Sequence, residues 1–220
     1  MIKLISMLSI WCTALCIPST ELIKQTTEKT PDATAKIQVA LLLDTSGSMD
    51  GLLEQAKSQL WKMVNELATS KKQGKSPRIE LALYEYGKSS IPADAGYLKQ
   101  LAPMTNDLDL VSEKLFALKT NGGDEYCGWV IQDATKNLKW SENNDDLKII
   151  IIAGNEVFTQ GTVDYKIACK DAITNGIVVN TIYCGDCEEG IRFFWKDAAD
   201  RADGKYMCIN QNDQVAHIET

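Results

Sequence analysis

Three oxygen-bearing side chains at alternate positions, Asp44, Ser46 and Ser48, follow directly on the apolar run Val39-Ala40-Leu41-Leu42-Leu43. A short, continuous apolar run closed by small polar residues reads as a strand buried on both faces, with its C-terminal end opening into a loop. A turning backbone can aim the three groups at one point, and a carboxylate with two hydroxyls suits a hard divalent cation such as Mg²⁺. The bland alternative is that they cap the helix that follows, since Asp and Ser satisfy the orphan N–H groups of a first turn.

Other chemistry finds little support. The single histidine, His217, lies close to the C-terminus, so triads built on a His base and zinc sites built on several His ligands are largely excluded. Asp44-Thr45 is followed by Ser46 where an aspartic protease needs Gly, and no second copy of the motif exists. Cys184-Gly185-Asp186-Cys187 has the C-x-x-C spacing of a thiol–disulfide oxidoreductase. It closes a late strand, however, and Glu188 and Glu189 would raise a thiolate's pKa, so a structural or idle pair is the preferred reading, with a short local disulfide as the structural form. No phosphate loop, nucleophile elbow or H-E-x-x-H motif occurs. The chain is therefore expected not to be an enzyme.

The elements that would position the oxygen cluster can be read in order. Lys36 to Leu43 is a strand, and beyond the loop Leu52, Leu53, Ala56, Leu60, Met63, Val64 and Leu67 mark one apolar helix face. Ile79 to Tyr86 is a second strand; residues 87–104, with Pro92, Gly96 and Pro103, form a loop with a short edge strand at 97–101. Asn106 is placed to cap a helix over 107–118. The turn Thr120-Asn121-Gly122-Gly123 leads into a helix reaching Trp140, with Asp124 and Glu125 in its first turn. Leu147 to Ala153 is a fully apolar strand ending at Gly154-Asn155-Glu156. A helix over 163–175, a strand over 177–183, a helix over 191–202 and a strand over 205–209 complete the pattern. Trp61, Trp129, Trp140 and Trp195 fall in helical segments, where core packing is expected. Such alternation predicts an α/β fold, Rossmann-like and doubly wound, with a mostly parallel sheet and helices on both faces.

The 220 residues suit one domain with a short N-terminal extension. Met1 to Ser19 has the layout of a secretory signal peptide: Lys3, an apolar stretch from about Leu4 to Ile17, then Pro18. The stretch falls short of the roughly 20 residues a membrane span needs. A lipoprotein signal with Cys16 as the modified residue is disfavoured by Leu15, which stands where a small residue is wanted. Residues 20–35 are polar and read as a flexible linker. An exported location follows, periplasmic, extracellular or at the cell surface, with no stable transmembrane span. The formal net charge of −7 and the lack of a basic run give nucleic-acid binding little electrostatic support. Cys127, Cys169, Cys184, Cys187 and Cys208 remain beyond the leader, an odd number whose pairing the sequence leaves open.

The string Asp44-Thr45-Ser46-Gly47-Ser48-Met49 after an apolar strand resembles the D-x-S-x-S metal-ion-dependent adhesion site of von Willebrand factor type A domains, and the resemblance covers residues 36–220. It implies a cation held by three loops at the carboxyl ends of the strands. Asp44, Ser46 and Ser48 are then the first-loop ligands. The second loop of the family commonly supplies a Thr after Gly-Gly; here Asp124 stands there, with Thr120 upstream as a substitute. The third commonly supplies an Asp straight after the strand; here Gly154 stands there, so Asn155 or Glu156 must serve, or that ligand is missing. The cation implied is Mg²⁺ first, with Mn²⁺ or Ca²⁺ as alternatives. The function implied is metal-dependent adhesion to a protein partner that presents an acidic residue. The alternative is a metal-free interaction or scaffold module of the same fold.

Overall fold

The computed structural model describes residues 36–70 and 76–209, so the expected leader and linker lie outside the described residues. Strands β1 (Lys36–Asp44), β2 (Arg78–Tyr86), β3 (Leu98–Thr105), β4 (Leu147–Gly154), β5 (Ile177–Cys184) and β6 (Tyr206–Ile209) form one sheet in the order β3-β2-β1-β4-β5-β6. All neighbours pair in parallel except β2 and β3. Strand order reverses between β1 and β4, and crevices beyond the carboxyl ends at such a switch point are where doubly wound sheets bind ligands. Asp44 ends β1 and Gly154 ends β4, so the oxygen cluster sits at that place.

Helices α1 (Leu53–Thr69) and α2 (Leu108–Phe116) cover one face, and α3 (Cys127–Asn137), α4 (Tyr165–Thr174) and α6 (Trp195–Arg201) cover the other. β1 is buried from both sides. Val39, Leu41 and Leu43 meet Ala56, Leu60, Val111 and Leu115, while Ala40 and Leu42 belong to the opposite core with Val130, Ile131 and Trp195. Alternation of Cβ direction along a strand thus serves two cores at once, which is why β1 reads as an unbroken apolar run. Among the described residues no helix is long and apolar enough to cross a membrane.

Several expected boundaries move, each for a local reason. β3 is longer than expected and includes Pro103, tolerated because the strand is an edge and the ladder to β2 carries register shifts there. Asp107, not Asn106, caps α2, its carboxylate accepting from the Leu110 N–H at 3.0 Å. α3 starts only at Cys127, so Asp124 and Glu125 precede the helix rather than filling its first turn. It ends at Asn137, and Trp140 lies beyond it, its indole N–H donating to the Ala134 carbonyl at 2.9 Å and satisfying one of the helix's orphan acceptors.

The helix expected over 191–202 is two helices, α5 (Cys187–Arg192) and α6, separated by Phe194 at φ 68°. The break turns the chain so that Trp195 enters the core, where it is fully buried. Its indole N–H donates to the Glu156 carbonyl at 2.7 Å, and the Phe158 N–H donates to the Phe193 carbonyl at 3.0 Å. A left-handed residue far along the chain therefore anchors the loop that follows β4.

Candidate functional site

The first loop is pinned before it turns. Asp44 stands opposite Tyr86 in the ladder, and the Thr45 N–H and hydroxyl both donate to the Tyr86 carbonyl, at 2.9 and 3.2 Å. The Ser46 N–H then donates to Asp44 Oδ1 at 2.7 Å, a local turn typical of Asp. Ser46 Oγ and Ser48 Oγ are 2.9 Å apart. Ser48 Oγ donates to Asn155 Oδ1 at 2.9 Å, and Asn155 Nδ2 donates to the Ser48 carbonyl at 2.9 Å. Asp44, Ser46, Ser48 and Asn155 are thus brought together.

The second loop crosses over the first. The Asn121 N–H donates to the Thr45 carbonyl at 2.8 Å, and a Cβ on Gly47 would stand 3.5 Å from the Gly122 Cα. Thr120 is half-buried just before this contact, and Asp124 is exposed. The acid that turns inward is its neighbour, Glu125, only 5% exposed. Gly87 marks where it goes: at φ +80°, a Cβ there would lie 2.7 Å from Asp44 Oδ1, 3.1 Å from Glu125 Cγ and 3.2 Å from Ser46 Cβ. Sequence reasoning missed Glu125 because two adjacent acids after a Gly-Gly pair carry no signal as to which one faces in. It also missed Gln160, whose Oε1 accepts from the Glu125 N–H at 3.2 Å while its Nε2 reaches Glu156 Oε2 at 3.5 Å, tying the second loop to the third.

In the third loop, Gly154 has no room for a side chain. A Cβ would stand 2.7 Å from the Tyr86 hydroxyl oxygen, 2.9 Å from Asp44 Cβ and 3.0 Å from Asp44 Oδ2. The Tyr86 hydroxyl is held there by donating to the Ala153 carbonyl at 3.0 Å. Glu156 is half-buried, and its charge acts on both Asp44 and Glu125.

Electrostatically the cluster is strained. Asp44 is completely buried, and its Oδ2 has no hydrogen-bond partner among the described residues. Burial pushes its pKa up to about 7 against the hydrogen bonds from Ser46, and Glu156 adds repulsion. The nearby Asn155 N–H also opposes the rise, without hydrogen-bonding Oδ2. Glu125 is pushed up to about 8, first by burial and then by the charges of Asp44 and Glu156. Beneath them the Tyr86 phenol and the Cys127 thiol are held well above their usual values, again by burial first, so this floor stays neutral and adds no further negative charge.

An orphaned carboxylate oxygen, two hydroxyls and further carboxylates repelling one another are what a hard cation would satisfy. Among the described residues no three carboxylate, thiol or imidazole groups form a metal cage by themselves. Any cation here would draw on serine oxygens as well. Asp44, Ser46 and Ser48 fit that role, with Asn155, Glu125 and Glu156 around them.

The C-x-x-C reading is corrected. Cys187 is joined to Cys208, tying the start of α5 to β6, while Cys184 is buried and free, as are Cys127 and Cys169. Burial raises the Cys184 thiol far above its usual range, the opposite of what an attacking thiol needs. A Cys184–Cys187 bridge and an oxidoreductase built on that pair are both ruled out by this pairing.

No curated protein matches the chain. Solved structures match it across most of its length at low identity. The crystal structure of the conserved hypothetical protein BatB from Bacteroides thetaiotaomicron superposes with a TM-score of 0.58 at 16% identity, covering 79% of this chain and 90% of that one. The SpRpn10 VWA domain gives 0.56 at 18% identity, with 80% and 89% covered. Proximal thread matrix protein 1 from the mussel byssus, with a zinc-occupied MIDAS motif, gives 0.57 at 9% identity, covering 83% of this chain and 43% of that one. These likenesses bear on fold alone. Residues 38–192, well over half of the chain, match the von Willebrand factor type A domain, and the chain belongs to that family of protein-interaction modules.

Proposed function

We propose that the chain is an exported binding module that holds a divalent cation, Mg²⁺ first, on Asp44, Ser46 and Ser48 and uses it to grip a carboxylate of a protein partner. The observation that carries this is the buried Asp44 Oδ2, without a partner among the described residues and surrounded by acids rather than by bases. Hard cations prefer oxygen and keep exchangeable positions, so a partner's carboxylate can complete the shell. Asn155 and Glu156 stand in for the third-loop Asp that Gly154 leaves no space for, and Glu125 takes the inward position beside Thr120 and Asp124. The role is binding, not catalysis. Export is supported by the leader-like first 19 residues and by the Cys187–Cys208 disulfide, a bond favoured in oxidising compartments.

A second reading, a metal-free interaction module, is favoured by the two hydrogen bonds between Asn155 and Ser48, which close the first loop on the third without an ion. Calorimetry separates the two. Titration with Mg²⁺, Mn²⁺ and Zn²⁺ is expected to give saturable heats that vanish when Asp44, Ser46 and Ser48 are replaced together by Ala, with circular dichroism confirming that the variant is folded. Identical heats from the two proteins would sink the cation site.

A further inference from the structure

We propose that a lysine-walled groove beside the cation loops is the second contact of the same partner, and that the partner is an acidic peptide segment carrying at least two carboxylates. The inference rests on the binding reading above and names the chemistry of what is bound. The groove is a shallow, open depression of about 370 Å³ lined by Glu85, Lys88, Leu101, Lys114, Ala117, Leu118 and Lys119. On a chain of formal charge −7, its walls hold three cations against one anion. Glu85 and Lys88 are taken up by each other, Lys88 Nζ lying 2.8 Å from Glu85 Oε2, which leaves two cations for a ligand. Lys114 and Lys119 make no ion pair with any described residue, and Lys119 is exposed.

The groove is built, not incidental. Lys57 is 1% exposed, and its ammonium reaches up from α1 to the end of α2, donating to the Leu118 carbonyl at 2.6 Å and the Phe116 carbonyl at 3.3 Å. That buried cation fixes the turn on which Ala117, Leu118 and Lys119 stand. Leu101 and Leu118 give the groove an apolar floor. Such a floor with ammonium walls suits the methylenes and carboxylate of a glutamate side chain.

Position links the groove to the cation loops. Lys119 runs straight into Thr120 and Asn121, whose N–H holds the Thr45 carbonyl; two extended residues span about 7 Å. Glu85 immediately precedes Tyr86, the ladder partner of Asp44. Chain continuity thus sets the groove next to the second cation loop and the end of β2, within reach of a peptide that has one carboxylate at the cation and a second further along. Nucleic acid is a poorer occupant, because the lining has no arginine and the surrounding acidity repels a dense polyanion.

The test uses the full chain and a fluorescein-labelled hexaglutamate peptide, with hexaglutamine as control, read by fluorescence polarisation with and without Mg²⁺. Wild type is expected to bind hexaglutamate at least tenfold tighter than hexaglutamine, more tightly with Mg²⁺, and less tightly as NaCl rises. Lys114→Glu with Lys119→Glu should weaken binding at least tenfold while leaving the Mg²⁺ dependence in place; Lys114→Gln with Lys119→Gln should give a smaller loss in the same direction. Ser46→Ala with Ser48→Ala should remove the Mg²⁺ effect and leave the salt-sensitive part. If both lysine pairs bind within twofold of wild type, the groove is not the contact. If a twelve-nucleotide oligothymidylate binds tighter than hexaglutamate, the acidic-peptide assignment is overturned. A wild type that ignores Mg²⁺ but loses affinity on charge reversal would sink the cation reading and keep the groove.

Discussion

β1 buries polar side chains at both of its ends, and the two ends treat them oppositely. At the amino end Gln38 is 1% exposed and fully engaged: its Nε2 donates to Glu80 Oε2 at 2.7 Å and to the Lys139 carbonyl at 3.2 Å, and its Oε1 accepts from the Ser141 N–H at 2.6 Å. Around it Lys36 pairs with Glu80 at 2.9 Å, Ser141 donates to Asp146 at 2.6 Å, and Lys148 donates to the Asn175 carbonyl at 2.6 Å. At the carboxyl end Asp44 is equally buried, its Oδ2 is orphaned, and the charges acting on it and on Glu125 are those of other carboxylates. A buried polar group that is satisfied holds the fold together, whereas one left unsatisfied costs about 1–3 kcal/mol, and more if charged. On β1 itself that penalty falls on Asp44 alone, at the end where the loops converge; off the strand, Tyr84 Oη and Thr135 Oγ1 are also buried without a hydrogen-bond partner among the described residues, but neither carries a charge.

The sharpest way to break the contrast is to remove the charge at the unsatisfied end. Burial raises the Asp44 pKa from 3.8 to about 7. The folded chain therefore holds its proton more tightly than the unfolded one, and the stability this provides is lost as pH rises from about 4 through 7. Asp44→Asn keeps the shape without the charge. In chelator at pH 8 it should be more stable than the parent, by up to the order of 4 kcal/mol, with the gain fading toward pH 4. Urea midpoints at pH 5 and pH 8 read this directly, and a variant no more stable than wild type at pH 8 would show that Asp44 is not strained.

A smaller effect tests why the third loop departs from its family's pattern. Restoring the acid by Gly154→Asp forces atoms against the Tyr86 hydroxyl and Asp44 and should destabilise by about 1–3 kcal/mol, the usual range for overpacking. A variant as stable as wild type that also binds Mg²⁺ tighter would mean that Tyr86 moves aside easily.

How much of this was legible in the sequence divides along the same line. β1, β4 and β5 are buried on both faces, so their apolar runs announced them, and α1 announced itself by its three- and four-residue spacing. The D-x-S-x-S string placed three of the oxygens before any geometry. What stayed hidden depended on tertiary choices. Nothing local says that Glu125 rather than Asp124 turns inward, that Phe194 adopts a left-handed backbone so that Trp195 can hold Glu156, or that Cys187 passes over Cys184 for Cys208. Gly154 looked like a lost ligand in the sequence; in the structure it is a position that Tyr86 and Asp44 already fill.

The satisfied end should show the smallest effect and the opposite sign. Burial alone would raise the pKa of Glu80, but hydrogen bonds from Lys36 and Gln38 and the charges of Lys36 and Arg78 outweigh it and hold the carboxyl below its usual value of 4.5. Its contribution is therefore present above pH 4.5 and lost as pH falls through the lowered pKa. The Lys36 and Glu80 side chains are 27% and 21% exposed, so the pair is partly screened, and Glu80→Gln should cost about 1 kcal/mol at pH 7. That loss should shrink in acid, where the gain from Asp44→Asn shrinks as well. The two variants thus converge on the parent from opposite sides as pH falls. Parallel pH profiles, both variants losing stability at pH 8, would mean that the two ends of β1 are held by the same kind of contact and that the contrast between them is false.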